Sequence, residues 1–408
     1  MTTITANMID PLNPLFALII FLLAFLTGFA INRTLKPAVT SQLSRYESID
    51  GLRGLLGISV FIHHASIWHQ YLQTGTWTLT KSNLFNHFGQ TSVALFFMIS
   101  AFLFTSKLLH AQKGTFNWPD FFISRFLRLV PLYYAALAVI IIFVMVLSNW
   151  QLNGSFSEWL VSVFRLAAFE IPGETVLNKH PLANLINAKI TWTLRFEWLF
   201  YFSLPLIALF ILKKKPSGFY LLFGTVFILI FYKYHGLKHY ADYLSFAGGI
   251  LVAFLVRHFP IRSKTDNIFG SLVILVSFLA IPQFKTPDEL FCKMLIILIF
   301  LLIAAGNDLF GLLRNATLKF LGHVCYSTYL LHGILIFSVV YFGIGIESAR
   351  TLEPSRFSVL IFAITPVLIV LSYLGFRFIE KPAIDLAKKI RLNRSKISAK
   401  VTKPTELV

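Results

Sequence analysis

Apolar runs of roughly 15 to 20 residues follow one another from end to end of this chain. A run that long belongs either in a large core or in lipid, and about 20 apolar residues carry an α-helix across a bilayer. Only 13% of the 408 residues are charged and 56% are hydrophobic, where a soluble domain carries about 25% charge. The pattern predicts an all-α, polytopic integral membrane protein with about eleven transmembrane helices. The spans are expected at 14–32, 52–69, 92–106, 129–148, 196–212, 218–232, 242–256, 267–281, 294–305, 320–341 and 357–376. A long connection covers 149–195. The expected organisation is an N-terminal segment with its own helix at 1–44, a membrane domain at 45–382 and a basic tail at 383–408.

The net charge of +18 would suggest nucleic acid in a soluble protein. Here its placement gives a better reading, and no nucleic-acid partner is expected. With the N-terminus outside, 25 of the 36 Lys and Arg fall on the inner side and 11 on the outer. The positive-inside rule then puts the C-terminus in the cytoplasm. The partner is the lipid bilayer, and the expected location is a bacterial inner membrane. No Lys or Arg precedes the first apolar run, and Asp10 does, so that run reads as a retained helix rather than a cleaved signal. The two cysteines, Cys292 and Cys325, sit in or beside apolar segments and suggest neither a disulfide framework nor a metal site.

Ionisable groups inside a bilayer are costly, so each is a candidate for function. Four clusters stand out. Asp50-Gly51-Leu52-Arg53-Gly54 leads into an apolar stretch ending in His63 and His64. Arg53 and His64 are eleven residues apart, which is three helical turns plus about 20° and a rise of about 16 Å. Both therefore project from one face. With Gly57 between them, they predict a groove with a cation at its mouth and an imidazole at its floor. The blander reading is a snorkelling Arg, packing glycines and a buried, hydrogen-bonded His. Arg125 and Arg128 share a face at the cytoplasmic end of a span, where forked donors suit phosphate. Taken alone, ordinary charge bias is the better explanation of them. Glu197, one turn before Tyr201, opens a span on the outer side, beside Trp192 and Trp198. An interfacial aromatic belt explains the tryptophans but not the carboxylate. Cys325, Tyr329 and His332 lie on one face of a later span, where a packing hydrogen bond is the alternative. No Walker loop, G-x-S-x-G elbow or H-E-x-x-H occurs, which argues against an ATP-driven pump, a serine hydrolase and a zinc protease.

In this order the clusters resemble the membrane-bound acyltransferase family 3, integral membrane enzymes that O-acylate carbohydrates and other acceptors. The resemblance runs over about 45–383. Arg45 with Asp50–Gly54 looks like the opening signature, and Arg53 to His64 is similar to Arg-x10-His. Phe96-Phe97-Met98-Ile99-Ser100-Ala101-Phe102-Leu103 looks like Phe-Phe-x-x-Ser-Gly-Phe-Leu. Arg125 and Arg128 are similar to the Arg-x-x-Arg pair, and Trp192-Thr193-Leu194-x-x-Glu197 to Trp-Ser-Leu-x-x-Glu. Leu321-Gly322 through His332, and Ile379-Glu380-Lys381-Pro382, resemble the closing motifs. Ala101, Thr193 and Cys325 are small departures, where Gly, Ser and Ser are usual.

The resemblance implies a cytoplasmic acyl-CoA donor, acetyl-CoA being the commonest, and no bound cofactor. The acceptor it implies is a carbohydrate or lipid-linked glycan, such as lipopolysaccharide O-antigen or capsule. On this reading His64, Arg53 and Glu197 are the expected catalytic residues. Arg125, Arg128, Asp50, Tyr329 and His332 are expected to bind substrate. A neutral imidazole at His64 can act as general base, and a covalent acyl-His64 is the other route. Two different classes compete with this reading. One is a secondary transporter with a His64, Glu197 and His332 proton relay, and the other is a non-catalytic partner in glycan assembly.

Overall fold

The computed structural model describes residues 10–35, 46–111, 116–236, 240–259 and 267–401, the last seven by backbone alone. Arg45 and the tail beyond 401 lie outside the described residues. Among the described residues the regular elements are helices: α1 (Pro14–Leu35), α2 (Glu47–Thr74), α3 (Asn83–His110), α4 (Trp118–Leu147), the short α5 (Phe156–Ala167), α6 (Trp192–Ile211), α7 (Gly218–His235) and α8 (Tyr240–His258) come first. Then follow α9 (Ile268–Ala280), α10 (Leu290–Ala304), α11 (Ala316–Phe337), the single-turn α12 (Ile346–Arg350), α13 (Pro354–Gly375) and α14 (Lys381–Val401). A π-helical turn at Phe376–Glu380 joins α13 to α14.

Among the described residues, eight helical stretches are long and apolar enough to cross a membrane. The other three expected spans are helical but differ in kind. The 28-residue α2 carries Glu47, Asp50 and Arg53 together with His63, His64 and His69. The helices α9 and α10 have only 13 and 15 residues. Side chains explain several boundaries. Asn117 caps α4 by accepting from Asp120 N at 3.0 Å, the usual role of an N-cap amide. Gly75 closes α2 at φ 72° and hands its N–H to the Tyr71 carbonyl, a left-handed C-cap that glycine adopts without steric cost.

The central contact is α2 against α11, and residue numbers rise together along it, so the two run parallel. Its closeness comes from glycine. A Cβ on Gly51 would lie 1.9 Å from the Leu313 carbonyl oxygen, and one on Gly322 1.9 Å from that of Asp50. One on Gly54 would lie 2.4 Å from the Leu318 oxygen. Small residues let backbones approach where lipid supplies no hydrophobic drive. The space beside Gly51, Gly54 and Gly322 is therefore filled by facing backbone. Helix α1 packs on the same core, with Phe16 against Phe362 at 5.5 Å and Gly28 against Leu321.

The connection at 149–195 is more than a surface loop. Its helix α5 starts with a Ser155–Glu158 capping box. Lys179 Nζ sits 2.9 Å from Glu158 Oε2, and its hydrogen bond holds that carboxyl below the usual range. Further on, Leu185, Ile186, Ala188 and Ile190 are buried. The Asn187–Ala188 backbone comes so near Gly333 of α11 that a Cβ there would lie 2.5 Å from the Asn187 carbonyl carbon. Irregular backbone is tolerated at such a place because protein surrounds it.

Candidate active site

Helices α2, α3, α4, α6 and α11 enclose a cavity of about 140 Å³. Arg53, Arg125, Arg128, Glu197 and Tyr329 all line it, so five of the expected residues converge. Glu197 and Tyr201 reach it from one face of α6, with Thr193 one turn earlier, and the Tyr201 hydroxyl donates to Glu197 Oε1. Arg195 turns the other way. It is 2% exposed and bonds Glu174 Oε1 at 2.8 Å. Cys325 and Tyr326 complete the α11 wall, and the Tyr326 hydroxyl donates to the Leu129 carbonyl at 2.6 Å.

The three guanidinium groups differ in their partners. Arg53 lies 4.0 Å from Asp50 Oδ1, so Asp50 neutralises Arg53 and does not itself line the cavity. Arg128 lies 3.7 Å from Glu380 Oε2, and Glu380 is buried and accepts from Ser327 Oγ. Among the described residues no carboxylate lies within ion-pair distance of Arg125. Its guanidinium rests 4.9 Å from the centre of the Phe104 ring, and its buried Nε has no hydrogen-bond partner. Arg125 is thus the cation most open to an incoming anion.

His64 and His332 are not in the cavity wall. They lie beyond Tyr329, whose hydroxyl is 2.6 Å from Thr193 Oγ1 and donates to the Ile190 carbonyl at 3.2 Å. One turn further along α11, His332 Nε2 faces His64 Nδ1 at 3.0 Å. His332 Nδ1 is 3.1 Å from the Thr328 carbonyl, which can only accept, so this nitrogen carries the proton. In the neutral ring Nε2 is then an acceptor, and His64 Nδ1–H donates to it. The Val60 carbonyl, 3.1 Å from the same His64 Nδ1, agrees with that tautomer. His64 Nε2 is left with its lone pair free. The neighbouring His63 serves packing: its Nδ1 is 2.8 Å from the Phe85 carbonyl and its ring fills the space above Gly89.

Glu380, Ser327 and Tyr326 belong to the site and were not among the expected site residues. Glu380 sits in the closing Ile-Glu-Lys-Pro motif, and that motif was the one available signal for it.

The sequence profile of acyltransferase family 3, described as an acyltransferase domain, matches residues 46–375. The chain belongs to this family. The acyltransferase-3 chain is also similar to Nodulation protein 10 of Rhizobium leguminosarum bv. viciae, with 25% identity over 190 residues. That match covers 45% of this chain and 49% of the relative, so the chain spans about half the length of the curated relative it matches. No solved structure matches it. As an acyltransferase-3 member it is a multi-pass, all-α membrane protein built around the cavity described above.

Proposed function

We propose that this acyltransferase moves an acyl group, acetyl being the first candidate, from cytoplasmic acyl-CoA to a hydroxyl of an envelope carbohydrate. The observation that carries this reading is the convergence of three arginines and Glu197 on one cavity, with the His64–His332 pair one turn beyond it. The arginines lie where the phosphates of a donor would arrive from the cytoplasm. His64 lies about 16 Å further along α2, counted at 1.5 Å per residue, a reach comparable to a pantetheine arm. His64 Nε2 takes the proton of the acceptor hydroxyl as its oxygen attacks the thioester carbonyl carbon. The C–S bond breaks, and the thiolate leaves and recovers that proton from the imidazolium. Arg53 holds the donor, and Glu197 with Tyr201 orients the reacting groups.

The same reading includes eleven spans, with α2, α9 and α10 crossing as well. It puts the N-terminus and the α4–α6 connection outside and the basic end inside, in a bacterial inner membrane. The bias of Lys and Arg supports that orientation. The acceptor class rests on the family resemblance. The deciding experiment is acyl-CoA consumption by the purified protein, with and without candidate glycans. Thiol release that rises with a glycan and stops with His64→Ala is expected. No consumption of any acyl-CoA by folded protein would overturn the reading.

A further inference from the structure

At the cytoplasmic end of α3 and on the C-terminal helix α14 stand two cations, Lys107 and Arg391, with no carboxylate within ion-pair distance among the described residues. Lys107 in the last turn of α3 and Arg391 on α14 are both exposed. The charges of Arg125 and Arg391 both bear repulsively on Lys107, and among the described residues Asp120 is the acid that offsets them. Asp120 is already engaged, with its Oδ1 3.6 Å from Arg394 Nη1. Lys107 and Arg125 lean instead on aromatic faces, 5.6 Å from the Phe116 ring and 4.9 Å from the Phe104 ring. The position of α14 is set by packing. It lies along α4, with Ile390 beside Pro119 and Phe122 and Arg394 at Asp120. Arg391 is held near Lys107 by these neighbours.

Lys107, Arg125 and Arg391, with no carboxylate in ion-pair distance of any of them among the described residues, repel one another and raise the local potential. Such a cluster is satisfied by a polyanion. It also has a direction: Lys107 and Arg391 face the cytoplasm, while Arg125 lines the cavity with Arg53 and Arg128. A ligand matching that path has its phosphates outermost and an uncharged arm leading inward.

We propose that Lys107, Arg125 and Arg391 form the phosphate anchor of the donor, holding the nucleotide end of acyl-CoA at the cytoplasmic mouth, with α14 as part of the site. This rests on the donor reading above. An anionic lipid headgroup offers the same phosphate chemistry, so the test separates the two sources.

The measurement is equilibrium binding of CoA to the full chain in nanodiscs, once in phosphatidylcholine alone and once with phosphatidylglycerol added. Lys107→Ala and Arg391→Ala are each expected to weaken CoA binding about ten-fold in the neutral lipid, the size of a lost charge-assisted contact. Lys107→Arg should recover most of the affinity. 3′-Dephospho-CoA then tells which phosphate is held: insensitivity to both variants assigns the 3′-phosphate, and retained sensitivity the pyrophosphate. Both residues are exposed, so the variants should fold. Affinity within two-fold of wild type in both variants would overturn the anchor and leave the donor reading standing. So would a loss seen only with phosphatidylglycerol, which would assign the cations to lipid. Wild type that binds no CoA in either lipid would overturn the anchor and the donor reading together.

Discussion

His332 Nε2 lies 3.0 Å from His64 Nδ1, across the interface between two parallel helices. The Thr328 carbonyl behind His332 fixes which ring nitrogen is protonated, so the chain from Thr328 to His64 has a direction. It ends on a bare His64 Nε2. On the proposed mechanism the two imidazoles in series act as one base with a positioning partner, the arrangement in which a third group orients the base.

His332→Gln and His332→Leu should consequently differ. Glutamine offers an amide oxygen that can accept from His64 Nδ1–H, and leucine offers nothing. With leucine, kcat should fall about 10²-fold, within the range for mispositioned acid–base catalysis. Glutamine should restore part of that loss, and KM for acyl-CoA should move little in either variant. Equal kcat in the two variants would argue that His332 only fills space.

His64→Ala should abolish transfer, a loss of about 10²–10⁴-fold, with protein level near wild type. His63→Ala should do the opposite. It removes the hydrogen bond to the Phe85 carbonyl and leaves a void above Gly89, so folded yield falls while surviving protein transfers normally. Glycan O-acylation in cells, with membrane protein quantified in parallel, separates the two. Full activity in His64→Ala would remove the proposed base.

Arg125 and Arg128 share a motif but should not share a phenotype. Arg128→Ala strands the buried Glu380 carboxylate, and losing one partner of a buried pair costs roughly 3–5 kcal/mol. Its melting point in detergent should drop, and adding Glu380→Gln should recover part of the loss. Arg125 has no such carboxylate, so Arg125→Ala should raise KM for acyl-CoA and leave the melting point unchanged. If the two variants melt alike, the Arg128–Glu380 pair has no structural weight.

The sequence announces what is local and stays silent on what is folded together. Long apolar runs revealed the helices because lipid and core both demand them. The Arg53–His64 spacing was legible because both lie on α2, where helical geometry alone fixes the face. The Arg128–Glu380 pair was not legible, since it joins α4 to the turn after α13 and only the packed bundle brings them together. The burial of Leu185, Ile186, Ala188 and Ile190 was equally hidden: a connection studded with Asn reads as surface until Gly333 makes room for it. The weak apolarity of α2 has a physical cause too, because the helix bearing the candidate site trades lipid-compatible residues for Asp50, Arg53 and His64.

The glycines of α2 give the last test, because the open-groove and packed-interface readings predict opposite outcomes. Alanine has no room at Gly51 or at Gly322, where its Cβ would overlap backbone oxygen. Either substitution should force α2 and α11 apart, cost on the order of 1–3 kcal/mol as overpacking does, and lower the folded yield. At Gly57 the nearest atom to such a Cβ is Cys325 Cβ at 3.4 Å, an ordinary contact. Alanine also favours helix over glycine by about 1 kcal/mol. Gly57→Ala should then melt at or above wild type and keep its activity, although Gly57 lies between Arg53 and His64. If instead Gly57→Ala inserts normally but loses acyl transfer, substrate passes along that face of α2, and the path from Arg53 to His64 is open rather than packed.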